Sequence, residues 1–226
     1  MHLSVIIPAY NEEKRIIPVI NNFLDSFSDI EIIIVNNGSM DNTTNLINRN
    51  YKNNKRIKLL DFKEKLGKGG AIIEGMKIAK GEFMGFSDAD QAVMPEDFKK
   101  LIKYLKFYDC AVGSRRVKGA DIKLKQSLKR RISSRIFNII VNLIFNLKIK
   151  DTQCGAKVFR KNVIEKILPK LKIKDFAFDI DLLYNAKLLG YKIKEVPVNW
   201  KHQEGSKFSL TNAPRMFLSL LRLRFN

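Results

Sequence analysis

Asp88-Ala89-Asp90 is the segment of this chain whose residue types and spacing most directly promise chemistry. Two carboxylates one residue apart can offer oxygens to a single hard divalent cation, which completes its shell with the oxygens of a bound phosphate. The triplet follows Glu82-Phe83-Met84-Gly85-Phe86-Ser87, an apolar run that reads as a short strand. Acidic groups at the end of a buried strand sit on the C-terminal edge of an α/β sheet, where such folds bind ligands. The triplet therefore points to a metal–diphosphate site. In isolation a carboxylate pair is more often a solvated turn, so its surroundings have to carry the assignment.

Those surroundings alternate between strand and helix up to about residue 114. Apolar runs place strands near 3–8, 31–36, 56–61, 82–87 and 109–114, with helical patterns near 13–27, 41–50, 69–80 and 95–107. Pro18 belongs in the first turn of its helix, or kinks it, because it has no N–H for the ladder. Asp41 has the position of an N-cap. Alternation of this kind predicts a mostly parallel sheet with right-handed crossovers. The turns after Ser4–Pro8, Ile32–Val35 and Phe83–Ser87 would then converge on one edge.

A chain of 226 residues can form one α/β domain with a full core. Its charge is less ordinary: 42 Lys and Arg stand against 23 Asp and Glu, a formal +19. Such an excess favours nucleic acid, an anionic membrane surface or a strongly anionic substrate. No zinc-finger spacing, basic zipper or RNP run supports the first. Lys99, Lys100, Lys103 and Lys106 read equally as a solvated helix face. Cys110 and Cys154, far apart in apolar surroundings, read as reduced packed thiols of a cytoplasmic protein. The chain opens directly into a strand, which argues against a signal peptide. No run approaches the roughly 20 apolar residues of a membrane span.

The second half has a different texture. Residues 127–149 read as one long helix in which Arg130, Ser134, Asn138, Asn142 and Asn146 repeat every four residues as a narrow polar ridge. Apolar side chains cover the remainder, so the helix is either deeply buried or lies in a membrane interface. Burial explains the apolar residues but leaves the basic cluster at its start, Lys123 to Arg135, without a reason. Lys192 to Trp200 reads as a strand, and Pro214 to Phe225 as an amphipathic helix carrying Arg215, Arg222 and Arg224.

Gly67-Lys68-Gly69-Gly70 lacks the spacer and the Ser or Thr of a Walker loop; it reads as a glycine turn opening a helix whose N–H groups can meet an anion. His2 and His202 are too isolated for zinc, and no Ser–His–Asp or Cys–His set is evident. Asp179 and Asp181 suit a helix start, where acids are favoured, although Asp179 could also stand in an active-site wall.

Taken in order, the motifs resemble family 2 glycosyltransferases of the GT-A fold, in particular the dolichyl-phosphate glucosyltransferase branch. The matching pieces are Val5 to Arg15, Gly67 to Ile72, Asp88-Ala89-Asp90, Gly113-Ser114-Arg115, Asp151 to Phe159, Phe176 to Asp179, and Val198-Asn199-Trp200 through Glu204-Gly205-Ser206-Lys207. They cover nearly the whole chain, and Asp151-Thr152-Gln153-Cys154-Gly155 and Glu204 to Lys207 are the specific ones. Dolichyl-phosphate mannose synthases are similar, but their acidic motif continues with Leu-Gln, whereas this one continues Gln91-Ala92-Val93. The family also carries Asp-Asp-Gly-Ser where this chain has Asn36-Asn37-Gly38-Ser39. An Asn oxygen can still accept from a uracil N–H.

The resemblance implies one catalytic domain over 1–226, with 1–115 the nucleotide-sugar half and 116–226 the acceptor and membrane-facing half. It implies that Pro8, Tyr10, Glu12, Asn37, Lys68, Asp88, Ala89, Asp90 and Lys207 bind the nucleotide sugar. Asp88 and Asp90 would hold Mg²⁺ or Mn²⁺. Arg115, Arg130 and Ser134 would take the acceptor phosphate, and Asp88, Asp90, Asp179 and Arg115 would form the catalytic group. The implied reaction is inverting transfer of a hexose from a UDP-sugar such as UDP-glucose to dolichyl or polyprenyl phosphate. The implied location is peripheral, on the cytoplasmic face of a membrane, with no nucleic-acid partner and with C-terminal amphipathic helices facing the lipid. Competing readings keep the transferase but change the acceptor to a soluble saccharide or glycolipid, or the donor to GDP-mannose. A binding module without enzymatic activity would explain +19 but leave the acidic turn idle.

Overall fold

The structure, a computed structural model, describes residues 2–124, 128–201 and 213–225, with side chains at 124, 129, 130 and 213–215 left out of the description. Nine strands are described: β1 (Leu3–Ala9), β2 (Ile30–Asn37), β3 (Ile57–Phe62), β4 (Phe83–Ser87), β5 (Cys110–Ser114), β6 (Asp121–Leu124), β7 (Ala156–Arg160), β8 (Ile193–Pro197) and β9 (Asn199–Lys201). Seven form one sheet in the order β3-β2-β1-β4-β7-β5-β8, and β6 pairs with β9 in a small ribbon. All neighbours in the large sheet are parallel except β7, which runs antiparallel between β4 and β5.

The strands β1, β2 and β4 are mostly apolar and buried along nearly their whole length because helices cover both faces. Alternation divides them: Val5, Ile7, Ile32 and Ile34 enter one core, while Ile6, Ile33, Val35 and Phe86 enter the other. The first core is closed by α1 (Ile16–Ser26), α2 (Thr43–Tyr51) and α4 (Pro95–Tyr104), where Phe23 meets Phe98 edge-on at 5.1 Å. The second is closed by α3 (Gly67–Ile78), α5 (Leu128–Phe145), α6 (Lys161–Ile167), α7 (Phe178–Leu188) and α8 (Ala213–Phe225). Helix α3 comes unusually near the sheet. A Cβ on Gly75 would stand 2.5 Å from Ile6 Cγ2, so only glycine fits there.

Several local expectations need correction. Pro18 does fall in the first turn of α1. Asp41, however, is not the N-cap residue of α2. It lies one residue earlier, and its Oδ1 accepts both the N–H and the hydroxyl of Thr43. Residues 156–167, given no element from the pattern, form β7 and α6. The strand expected over 192–200 divides at Val198, so that β8 pairs with β5 and β9 with β6.

The long helix ends at Phe145 instead of 149. Asn146 and Lys148 adopt left-handed φ of 50° and 59°, and the Asn142 side chain accepts from Ile149 N–H and donates to Ile149 O. The chain thereby turns back and buries Leu147 and Ile149, while Lys187 Nζ caps the freed carbonyls of Phe145 and Asn146.

Helix α5 sends Val141 and Phe145 into the core and carries a second apolar ridge outside. Its polar ridge turns inward at Asn138, which is only 7% exposed and bonded to Ile149 O and Thr152. Leu128, Ile132, Ile136, Ile139 and Leu143, three or four residues apart, form an exposed apolar ridge, with Leu143 79% exposed. Helix α8 buries Met216 and Leu220 and exposes Leu218 and Phe225. Among the described residues, no helix is long and apolar enough to cross a membrane.

Candidate active site

Because β1, β2 and β4 are adjacent and parallel, their C-terminal ends share one edge. Asp88 and Asp90 stand in the turn that follows β4. The half-buried Asp88 receives Lys68 Nζ at 2.9 Å. The same ammonium lies 3.7 Å from Asp179 Oδ2. The other oxygen of Asp179 binds Lys157 Nζ, which also donates to Cys154 O at 2.7 Å. Lys157 is wholly buried and Asp179 nearly so. Both ammonium groups lie over the Phe86 ring, at 5.9 Å and 5.2 Å from its centroid. Four charges thus alternate in sign across the turn, β7, and the starts of α3 and α7.

The turn is shaped for this arrangement. A Cβ on Gly155 would overlap Asp88 Oδ2, so glycine there lets the carboxylate lie against the β7 backbone. Gly69 is needed for a different reason, since a Cβ would strike Phe178 where α3 crosses α7. Contrary to the expectation from the glycine turn, the N–H groups at the opening of α3 are not all available to an anion. Gly70 N–H is spent on Lys174 O at 3.0 Å, and Asn37 Oδ1 takes Leu66 N–H at 2.6 Å.

The two acids differ electrostatically. Burial works to raise the pKa of Asp88, but the Lys68 charge and hydrogen bond, with Lys157 and Arg115 behind them, hold it below the ordinary value. Burial, followed by the charge of Asp88, pushes Asp90 above it. A carboxylate pair in which one member resists ionisation is relieved by a divalent cation. Among the described residues no three His, Cys, Asp or Glu gather into an all-protein metal cage. Two carboxylates nevertheless suit Mg²⁺ or Mn²⁺ when phosphate and water complete the shell. Gln91, beside the pair, has a left-handed φ of 57°, and its buried Nε2 has no hydrogen-bond partner, which leaves a donor for a bound oxygen. The residues fit a cation shared with a phosphate ligand.

Pro8, Tyr10 and Glu12 follow one another at the end of β1, next to Asn36 and Asn37 at the end of β2. Asn11, with φ of 53°, clasps the neighbouring loop: its N–H bonds Ser39 Oγ at 2.9 Å and its Oδ1 accepts from Met40 N–H at 2.8 Å. Glu12 is buried and paired with Arg15 at 2.6 Å. Tyr10 is stacked under Lys65 Nζ, 4.2 Å from the ring centroid. Asn36 is tied to Asp61 and Ser39, so both asparagines brace the edge.

A cavity of about 330 Å³ opens beside the end of β5, lined by Arg115, Arg116, Ile122, Arg131, Ser134, Arg135 and Trp200. Asp151 accepts from Arg115 Nε and Nη2 along one guanidinium edge, at 2.7 and 2.8 Å, and from its backbone N–H at 2.9 Å. The guanidinium stacks 5.4 Å from the Trp200 ring. Burial opposes the Arg115 charge, but Asp151 outweighs it and holds the pKa above the ordinary value. Arg116 behaves in the opposite way. It donates to Ser134 Oγ at 2.7 Å and Lys150 O at 2.9 Å, both neutral acceptors. Burial first, then the Arg115 and Arg135 charges, pull its pKa below normal despite Asp151. A cavity lined by several arginines, one of them bonded only to neutral oxygens, suits an anion.

Of the residues expected at the acceptor, Arg115 and Ser134 therefore share one cavity. Arg130 lies in the first turn of α5 with its side chain outside the description, and Lys207 lies outside the described residues altogether. Arg116 was missed, although its place directly after the Gly113-Ser114-Arg115 motif was the available signal. Lys157 was missed because a lysine in a strand ordinarily faces solvent. Cys110 and Cys154 are free and buried, and burial pushes the Cys154 thiol up to about 12. Neither supplies a thiolate at neutral pH.

A family model described as Glycosyl transferase family 2 matches residues 4–168. A dolichyl-phosphate beta-glucosyltransferase of Dictyostelium discoideum is 35% identical across 100% of this chain and 74% of its own length. Its counterpart in Saccharomyces cerevisiae is 32% identical over 92% of this chain and 69% of its own. Among solved structures, glucosyl-3-phosphoglycerate synthase from Mycobacterium tuberculosis, in complex with Mn²⁺, UDP and phosphoglyceric acid, superposes with a TM-score of 0.73. It is 18% identical, over 99% of this chain and 78% of that one. S. aureus TarS 1-349 superposes at 0.65 with 19% identity, covering 99% of this chain and 64% of that one. With the acidic turn, the GT-A-like sheet and a family match over most of its length, this chain belongs to glycosyl transferase family 2.

Proposed function

We propose that the protein transfers glucose from UDP-glucose to dolichyl or another polyprenyl phosphate, with inversion at the anomeric carbon, while bound peripherally to the cytoplasmic face of a membrane. The observation that carries this reading is the neighbouring of two unlike sites on one sheet edge. The Asp88–Asp90 turn suits a metal-bound diphosphate, and the arginine cavity suits a second phosphate. Asp88 and Arg115 are close enough that each shifts the other's pKa. The relatives' names support the acceptor and the sugar, and the complex of the structural neighbour with UDP and Mn²⁺ supports the donor and the cation.

In the proposed step, an acceptor phosphate oxygen attacks C1 of glucose from the face opposite the diphosphate. The C1–O bond breaks as the new one forms, and UDP leaves with the electron pair. The acceptor is already anionic, so no proton has to be removed. Orientation by Arg115, Arg116, Arg130 and Ser134 replaces a strong base. Asp179, held between two lysines, serves position and charge. Lys68, with Lys207 from the far end of the chain, adds positive charge where the leaving group gains negative charge. A divalent cation held by Asp88 and Asp90 would supply further charge neutralisation of the diphosphate.

The apolar ridge of α5 supports a lipid acceptor. It runs along the same helix that lines the cavity with Arg131, Ser134 and Arg135, and offers a prenyl chain an exposed apolar track. The test is incubation with Mg²⁺, UDP-glucose and dolichyl phosphate, followed by mass and NMR analysis of the lipid. A β-linked glucosyl phosphate is expected. An α-linked product would overturn inversion, and transfer only to a soluble phosphate ester would overturn the lipid acceptor.

A further inference from the structure

Lys68 holds the carboxylate that the reading above gives to a metal. Its Nζ sits 2.9 Å from Asp88 Oδ1, and Asp179 lies behind it at 3.7 Å. Asp179 cannot swing away, because its other oxygen is bound by the wholly buried Lys157, which Cys154 O anchors in turn. Gly155 closes the opposite side of Asp88. The ammonium is thus fixed from behind as well as attracted from in front.

We propose that Lys68 is the resting counter-cation of the Asp88–Asp90 pair, competing with a divalent metal until nucleotide diphosphate arrives, and that Lys157 and Asp179 are the positioning residues that keep it there. This rests on the metal–donor reading above. In the donor-free protein Lys68 offsets the repulsion between two neighbouring carboxylates. A metal entering alone must share Asp88 with a fixed positive charge a few ångströms away, which is costly. A metal entering with UDP brings phosphate oxygens to which Lys68 can turn without leaving Asp179. Loading is then cooperative: metal and nucleotide each bind better when the other is present.

The test is calorimetric titration of the full chain with MnCl₂, alone and in the presence of UDP. Wild type is expected to bind Mn²⁺ weakly alone and much more tightly with UDP. Lys68→Met should bind Mn²⁺ alone at least about tenfold more tightly than wild type, since the competing charge is gone, and should show far less gain from UDP. Its turnover should fall even so. Tighter metal binding with lower turnover is a combination that loss of fold cannot produce. Equal Mn²⁺ affinity in the two proteins without UDP, alongside normal coupling in wild type, would overturn the proposal and leave the metal–donor reading standing. No Mn²⁺ binding by wild type even with UDP would overturn both.

The positioning residues are tested as a pair. Asp179→Asn strands a buried lysine and should lower the melting temperature. Combining it with Lys157→Met removes the stranded charge and should restore much of that loss. If turnover and Mn²⁺–UDP coupling stay depressed in the double variant, the pair positions Lys68. If they recover together with stability, its role is structural only and this part of the proposal falls.

Discussion

The two ends of the catalytic edge solve opposite electrostatic problems. Around Asp88 four charges alternate in sign, in the order Lys157, Asp179, Lys68, Asp88, with the Asp90 carboxyl beside them pushed up by burial and by Asp88. Around Ser134 the cations exceed the acids: Asp151 answers Arg115, while Arg116 has two neutral oxygens as acceptors and is crowded by like charge. A site that exchanges one cation for another has to be balanced before its ligand arrives. A site that captures a dianion has to be left unbalanced. The price is visible in Arg116, whose charge the fold opposes.

The largest losses are expected on the donor side. Asp90→Asn should lower turnover by three or more orders of magnitude while the melting temperature holds, because it removes a proposed metal ligand and relieves carboxylate repulsion. Near-normal turnover, or activity that survives excess chelator, would show that the acidic turn holds no metal. Gly155→Ala is expected to be next in size, about a hundredfold in turnover, since a Cβ there displaces Asp88 without removing it. Restoration by a shortened partner is not available, so the check is a raised Mn²⁺ requirement in the presence of UDP.

On the acceptor side the effects should be smaller and should appear in a different constant. Arg116→Ala should raise the KM for polyprenyl phosphate about 10- to 100-fold, as loss of one charge-assisted contact worth about 1.5–3 kcal/mol implies. The KM for UDP-glucose should move little. A larger effect on the donor would mean that the two sites are not separate. Smallest of all, replacing Ile136 and Ile139 with serine should weaken binding to anionic vesicles several-fold and leave turnover on a short-chain acceptor intact. Salt should release the wild-type protein from anionic vesicles more readily than from neutral ones. Indifference of binding to both substitutions would remove α5 from the lipid surface.

The balanced side was the more legible in the sequence. Asp88 and Asp90 could be read because a strand end and a spacing suffice to place two carboxylates on an edge. The neutralising half of that site was not legible. Lys157 and Asp179 are 22 positions apart, and their pairing exists only because antiparallel β7 brings one beside the start of α7. On the other side, the four-residue repeat from Arg130 to Asn146 was visible, but its direction was not, nor that Asn146 would fall beyond the helix end and be exposed. Periodicity fixes which residues share a helix face and says nothing about whether that face looks inward. Here Asn138 and Asn142 look in because Ile149 and Thr152 supply partners for them, and Ile132, Ile136 and Ile139 are left outside. The parallel strands were legible as apolar runs. β7, with Lys157 and Arg160 among its five residues, was not.

The position of β7 also has a consequence for biogenesis. The strands β4 and β5 are made well before it, yet neither can pair with the other in the finished sheet, because β7 occupies the place between them. Until residues 156–160 leave the ribosome, the growing chain carries a bare, apolar edge on β4 with unpaired amides and carbonyls, a template for mispairing with other chains. Closing that gap requires contacts distant in sequence, which makes folding slow. The same five residues that bring Lys157 beside Asp179 thus also close the central gap of the sheet.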